Sequence, residues 1–320
     1  MTNDHGDPGQ QDLFVASAGG HITQLANLRA RLSYGSPMWV TYGVPSTEPY
    51  TAGDTVIHAH HPTTKDVSNA MRNYRLARRV FAEHDIRRVV STGSAVAVPF
   101  MLRARQLGIP CHYIESATRV IGPSLSGRMI QRLRGAHLYR QLGDWGHPRW
   151  KQGPCVFDGF KADQGSARPV RRILVSLGTH GFAFTSLIER LAVLLGDRHL
   201  DVIWQLSSTA VPAGLRGRVH ELLSPDELQS AICEADVVVG HAGVGLTLTC
   251  LQAGKVPVLA PRRRARREHT DDHQQQLAGE LDRQGLAVAA QVGELTFEHL
   301  ERAAELVVNH DEPAPFELVD

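Results

Sequence analysis

Three short segments of this chain pair glycine with histidine: Ser17-Ala-Gly-Gly-His21, Ser176-Leu-Gly-Thr-His180 and His241-Ala-Gly-Val-Gly245. Each lies between an apolar run and an expected helix. Glycine lets backbone N–H groups approach a ligand, and a helix N-terminus favours an anion. One such histidine is ordinarily a surface residue, but three together point to a phosphate-bearing ligand. The first loop is not a dinucleotide fingerprint, because the third glycine of Gly-x-Gly-x-x-Gly is absent. Arg262-Arg-Arg-Ala-Arg-Arg267 places five arginines in six residues. It reads as a diphosphate neighbour, a nucleic-acid patch or a solvated loop. An acidic surrounding half and the lack of a binding module argue against nucleic acid. His269 and His273 are four apart, but a zinc site usually needs a third protein ligand and none is evident, so no metal is expected. Asp271 and Asp272 have a plain role at a helix start, and His58, His60 and His61 fit a strand end and turn.

Alternating elements must hold these loops. Strands are expected at residues 13–18, 38–42, 55–59, 88–91 and 111–114, with helices at 22–32, 65–83, 95–107 and 125–133. In 65–83, Met71, Tyr74, Leu76, Val80 and Phe81 recur with helical rather than alternating spacing. Residues 161–169 are polar, carry Gly165 and Pro169, and read as a linker. The pattern resumes with strands at 172–177, 201–205, 237–240, 256–260 and 287–290, and a helix at 246–252. Ser224-Pro-Asp-Glu227 has the N-cap, first-turn proline and acids of a helix start. The expected fold class is α/β: two Rossmann-like, doubly wound parallel-sheet domains, 1–165 and 166–320, facing a cleft lined by strand C-terminal loops.

Composition agrees with a folded enzyme-sized chain. It has 320 residues, 42% hydrophobic and 21% charged, which excludes disordered and collagen-like classes. The most apolar long stretch, 237–260, is interrupted by His241, Gln252, Lys255 and Pro257 and is not a membrane span. The start of the chain has no signal pattern, and Cys111, Cys155, Cys233 and Cys250 are widely spaced. Buried reduced thiols in a cytoplasmic protein are expected. Net charge is +1, yet 19 Lys/Arg face 12 Asp/Glu up to Gly165, against 15 and 21 beyond it. A basic half joined to an acidic half suggests different partners for each. Thirty of the 34 cations are arginine, which suits planar phosphate recognition, although genomic base composition gives the same bias.

The motifs resemble a known family. Ser17 to His21, Ser91-Thr-Gly-Ser94 and Tyr113-Ile-Glu-Ser-Ala-Thr-Arg119 are similar to the acceptor subunit of the two-subunit transferase that adds the second GlcNAc to dolichol diphosphate. Val175-Ser-Leu-Gly-Thr179, Gly240-His-Ala-Gly-Val-Gly245 and the run from Pro261 through Glu268-His-Thr-Asp-Asp-His-Gln274 resemble its catalytic subunit. Bacterial exopolysaccharide transferases share that pairing, and the peptidoglycan GlcNAc transferase is a more distant single-chain relative. The likeness spans roughly residues 12 to 290 and describes both subunits fused in one polypeptide.

The resemblance implies a GT-B fold and an inverting, metal-independent hexosyltransferase. It would move GlcNAc or a related hexose from a UDP-sugar to a polyprenyl-diphosphate-linked sugar, with no resident cofactor. Donor-binding residues implied are Gly178, Thr179, His180, His241, Gly243, Val244, Gly245, Thr249, Glu268, Asp272, His273 and Gln274. Acceptor and diphosphate contacts implied are Gly19, Gly20, Gly93, Ser94, Ser116 and Arg119. Relatives often have Glu where Thr249 stands, so ribose contacts differ here. The basic, apolar stretch 119–134 is expected to lie on the inner face of the cell membrane, or to be an ordinary packed helix. Inversion needs a base for the acceptor hydroxyl, and imidazole, with an ordinary pKa of about 6.5, suits that task. His21 is expected as the base, with Glu115 orienting it or the acceptor. The reverse assignment is the alternative, as is a His21 that only binds the diphosphate. Competing readings of the whole chain are a UDP-GlcNAc 2-epimerase-like enzyme and a non-catalytic sugar-nucleotide-binding subunit.

Overall fold

A computed structural model describes residues 10–32, 34–44, 47–61, 66–179, 181–196, 198–269 and 272–319. The chain divides into two compact units, Met1–Asp158 with Pro313–Asp320, and Gly159–Glu312. The division therefore falls at 158/159 rather than at 165/166, and the end of the chain rejoins the first unit. The reason is strand pairing: the first part of the expected linker belongs to a strand, Phe160–Gln164, held antiparallel to a late strand of the second unit, while residues 165–169 have no regular structure.

The first unit runs β1 (Gln11–Val15), α1 (Gly20–Arg29), β2 (Ser36–Thr41), α2 (Glu48–Thr51), β3 (Thr55–His58), α3 (Val67–Glu83) and β4 (Ile86–Ser91). It continues with α4 (Ala97–Gln106), β5 (Cys111–Ile114), α5 (Leu125–Ile130), β6 (Ala136–Arg140) and β7 (Trp150–Gln152). All seven strands are parallel, in the order β3-β2-β1-β4-β5-β6-β7. Alternate strand residues, among them Leu13, Val15, Met38, Val40, Val89 and Tyr113, pack against Leu76, Val80, Phe100 and Ile130 from α3, α4 and α5. Parallel strands covered by helices read as continuous apolar runs, which is why Leu13–Val15 and Val89–Val90 are wholly buried. On α3, capped by the Asp66 side chain, the buried face is Asn73, Leu76, Ala77 and Val80, whereas Met71 is 51% exposed. Met71 lies on the opposite side of a 3.6-residue turn from that face, so it does not join the core.

The second unit runs β8 (Phe160–Gln164), β9 (Arg172–Ser176), α6 (Thr185–Leu195), β10 (Asp201–Gln205), β11 (Arg218–His220), α7 (Pro225–Glu234) and β12 (Val237–His241). After these come α8 (Val244–Gln252), β13 (Val258–Ala260), α9 (His273–Arg283), β14 (Val288–Ala289), α10 (Phe297–Ala304) and β15 (Leu306–His310). Its parallel sheet has the order β11-β10-β9-β12-β13-β14, and β8 and β15 form a separate two-stranded sheet. α7 begins with a capping box: Ser224 Oγ accepts from Glu227 N, and the Glu227 carboxylate accepts from Ser224 N at 2.8 Å. Of the cysteines, Cys111, Cys155 and Cys250 are buried but Cys233, near the end of α7, is exposed. Among the described residues, no helix is long and apolar enough to cross a membrane, and no group of three His, Cys, Asp or Glu stands ready to hold a metal ion.

Candidate functional site

In each sheet the strand order reverses at one point, and loops at the carboxyl ends of the flanking strands frame a crevice there. In the first unit the reversal lies between β1 and β4. The loop after β1 turns through Gly19 at φ 77° and ψ −141°, a region essentially reserved for glycine, and delivers Gly20 and His21 into the first turn of α1. The loop after β4 carries Thr92, Gly93 at φ 114° and Ser94 at φ 74°. The two loops are tied across the reversal. His21 Nδ1 lies 2.8 Å from the Thr92 carbonyl oxygen, and Thr92 Oγ1 donates to the His21 carbonyl at 2.7 Å. Ser94 contacts Tyr42, whose phenol burial pushes up to about 12 against the opposing pull of the Ser94 hydroxyl.

Glu115 follows β5 and is wholly buried. Its Oε1 accepts from Ser116 N at 3.1 Å and from Tyr113 Oη at 3.4 Å; its Oε2 accepts from Ser124 N at 2.9 Å and Ser124 Oγ at 3.0 Å. Burial raises its pKa, while the Ser124 bonds, the Ser116 bond and the charge of Arg119 hold it down. A Cβ on Gly127 would come 2.2 Å from Oε2, so α5 can sit on this carboxylate only with glycine there. Glu115 thus fastens the start of α5, and the partner of His21 Nδ1 is Thr92. Tyr113 links the two regions by packing, since its hydroxyl lies 2.8 Å from where a Gly93 Cβ would stand. Ser116 Oγ accepts from Gln24 Nε2 at 3.0 Å, and Arg119 N donates to Ser116 O.

In the second unit the reversal lies between β9 and β12. His241 ends β12, and its ring is wedged between two glycines. Cβ atoms on Gly178 and Gly243 would lie 2.5 Å from its Cε1 and 2.3 Å from its Nε2. Gly178 has φ 74°, and Gln205 at the end of β10 braces that loop through Ser176 Oγ at 3.2 Å and Gly178 O at 3.3 Å. Gly178 N and Gly243 N are already engaged, with Ser176 Oγ at 3.4 Å and His241 O at 2.8 Å. The N–H groups suited to an anion are therefore Thr179 and the first turn of α8, Val244 and Gly245. Thr249 turns its hydroxyl back on its own helix, to Gly245 O at 3.0 Å.

Residues 261–269 follow β13, and Asp272 leads into α9. Arg262 is 1% exposed, donates to Leu177 O at 3.0 Å and lies over the Phe184 ring at 5.3 Å. Burial lowers its pKa to about 10, opposed by Glu268. Gln274 Oε1 accepts from Arg262 N at 3.0 Å, so the carboxamide supports this loop as well as any ligand. Glu268 accepts from Ser186 Oγ at 2.5 Å and Arg263 N at 3.1 Å, and Asp272 accepts from Arg264 N at 3.0 Å. His273 meets His269 edge-on at 4.6 Å. The exposed arginines of the run are Arg264, Arg266 and Arg267. His180, Thr270 and Asp271 lie outside the described residues. Sequence reading passed over Gln24 and Gln205, carried Thr92 only inside the Ser91–Ser94 motif, and took Arg262 with its exposed neighbours although it is buried. The one signal available was a glutamine among the apolar residues of the buried α1 face.

Residues 172–317 match the glycosyltransferase family 28 C-terminal domain. A UDP-N-acetylglucosamine--N-acetylmuramyl-(pentapeptide) pyrophosphoryl-undecaprenol N-acetylglucosamine transferase of Sorangium cellulosum (strain So ce56) is 28% identical over 237 residues, 69% of this chain. The match spans 56% of that relative's length. The crystal structure of Acinetobacter baumannii MurG superposes with a TM-score of 0.60 at 18% identity, over 92% of this chain and 89% of the other. That of the glycotransferase of kitacinnamycin gives 0.62 at 18%, over 93% and 89%. Likeness at such identity speaks for the fold. The chain accordingly has the GT-B fold, and within it residues 172–317 are similar to the glycosyltransferase family 28 C-terminal domain.

Proposed function

We propose that this chain is an inverting, UDP-sugar-dependent glycosyltransferase, acting on a polyprenyl-diphosphate-linked sugar in polysaccharide or glycan biosynthesis. The observation that carries this is the second unit's reversal point, where glycine loops close on His241 inside a glycosyltransferase family 28 domain. The relative's name, a GlcNAc transferase onto a pyrophosphoryl-undecaprenol acceptor, supports the donor and acceptor classes. Likeness over residues of both units supports reading the chain as donor and acceptor halves joined in one polypeptide.

His21 takes the proton from the acceptor hydroxyl as it attacks the anomeric carbon, and UDP leaves from the opposite face. Negative charge then grows on the diphosphate, where Thr179, Val244 and Gly245 present N–H groups and a helix start. Gly178 and Gly243 shape the loops around His241, and His273 and Gln274 address the sugar. Gly19, Gly20, Gly93, Ser94, Ser116 and Arg119 border the acceptor diphosphate, and Glu115 holds that border in place. No metal or cofactor enters this scheme. The chain works in the cytoplasm, at the inner face of the membrane where its acceptor resides. The test is UDP release from a panel of UDP-sugars, with and without polyprenyl-diphosphate-linked sugars and with excess EDTA. Acceptor-dependent release that survives the chelator is expected. Release abolished by EDTA and restored by Mg²⁺ would overturn the leaving-group scheme.

A further inference from the structure

We propose that Thr92 is the positioning residue that sets His21 as a base, holding its imidazole in the tautomer with hydrogen on Nδ1. This rests on the reading of His21 as the group that accepts the acceptor proton. A carbonyl oxygen only accepts hydrogen bonds, so the 2.8 Å contact with Thr92 O requires the hydrogen on Nδ1 and leaves the lone pair of the neutral ring on Nε2. The carbonyl is itself held. The peptide unit joining Thr92 to Gly93 receives His21 Nδ1 at its oxygen and donates its own N–H to Ser91 Oγ at 3.0 Å. Ser91 Oγ is in turn anchored on Val15 O of β1. The other end of the histidine is fixed by the same residue, because Thr92 Oγ1 donates to His21 O. Backbone and ring of His21 are therefore both pinned by Thr92, which is wholly buried. Gly93 completes the seat, since a Cβ there would stand 3.2 Å from His21 Cε1.

Thr92→Val keeps the shape and removes the hydroxyl; Thr92→Ser keeps the hydroxyl. Long-range ¹H–¹⁵N correlation of the histidine rings reads the tautomer without any substrate, and UDP release reads turnover. In the wild type and in Thr92→Ser, His21 is expected to carry its hydrogen on Nδ1, with turnover agreeing within about threefold. Thr92→Val is expected to mix the tautomers and to lower kcat on the order of ten- to a hundredfold, because a sub-ångström misplacement of a base is costly, with KM for the UDP-sugar near the wild-type value. A wild-type His21 bearing its hydrogen on Nε2 overturns the proposal. So does a Thr92→Val protein with unchanged tautomer and unchanged kcat. If the wild type shows the Nδ1 tautomer yet releases no UDP with any donor and acceptor, the transferase reading falls and with it the catalytic role of Thr92, whereas the tautomer assignment stands.

Discussion

His112 sits in the middle of β5 with no exposed surface, stacked on His137 at 5.0 Å and on Tyr139 at 6.2 Å. Burial, with the nearby charges of His137 and Arg88, pushes its imidazole down to about 3. An unfolded chain protonates that ring near its ordinary pKa of about 6.5, so between these values the unfolded state binds more protons. The linked stability is fully present above pH ~6.5 and is lost as pH falls toward 3. Urea unfolding of the wild type between pH 7.5 and 5 should therefore lose about 2 kcal/mol that His112→Leu does not lose. Parallel pH curves for the two proteins would refute this. Glu115 gives a second expectation. Four donors converge on its two oxygens, and a carboxamide can serve only one side. Glu115→Gln should cost about 1–3 kcal/mol in folding and lower Tm by several degrees, while calorimetric affinity for UDP stays unchanged. A variant as stable as the wild type would mean that the carboxylate does not hold α5.

Among the elements, α5 ends three residues before its expected end at 133. Its helix is six residues long, with Gly127 and Ile130 as its buried positions. Ile121, Leu125 and Met129 are 71%, 68% and 44% exposed, beside the exposed Arg128 and Arg132. Apolar side chains set among cations suit a lipid interface, where each cation contributes about 1 kcal/mol on an anionic surface. Co-sedimentation with anionic vesicles should be salt-sensitive and weakened by Leu125→Asp. No binding at low salt would end this reading. Elements with a dense apolar run, such as β1, β4, β9 and β12, were legible because a strand covered on both faces leaves an unmistakable sequence. Phe160-Lys-Ala-Asp-Gln164 was not, because its two-stranded sheet covers little core and carries exposed Lys161, Asp163 and Gln164. The site divides in the same way. Gly19, Gly178 and Gly243 announce themselves because only glycine fits those turns. Thr92 and Gln24 find partners 71 and 92 residues away, contacts that no local pattern encodes.

Across the whole molecule, the last residues have a task far from their place in the sequence. Phe316 N donates to Arg31 O at 2.8 Å, its ring meets Tyr139 edge-on at 5.5 Å, and Leu318 is buried. Cutting the chain after Glu312 removes these contacts and should cost the first unit about 2–4 kcal/mol, read as a lower transition in thermal unfolding. An unchanged melting curve would show that the segment is dispensable. The same return path has another consequence. The second unit begins at Gly159 and ends at Glu312, and its entrance and exit are zipped together: β8 runs beside β15, and Asp311 N donates to Gly159 O at 2.9 Å. In topological terms it is a cassette spliced into the first unit, with both splice points side by side. Such a cassette can be lifted out or exchanged as one continuous piece, as domain insertions tolerate when their termini are close. On the function proposed above, donor preference is then a property that recombination can replace at a single locus, leaving the first unit unbroken.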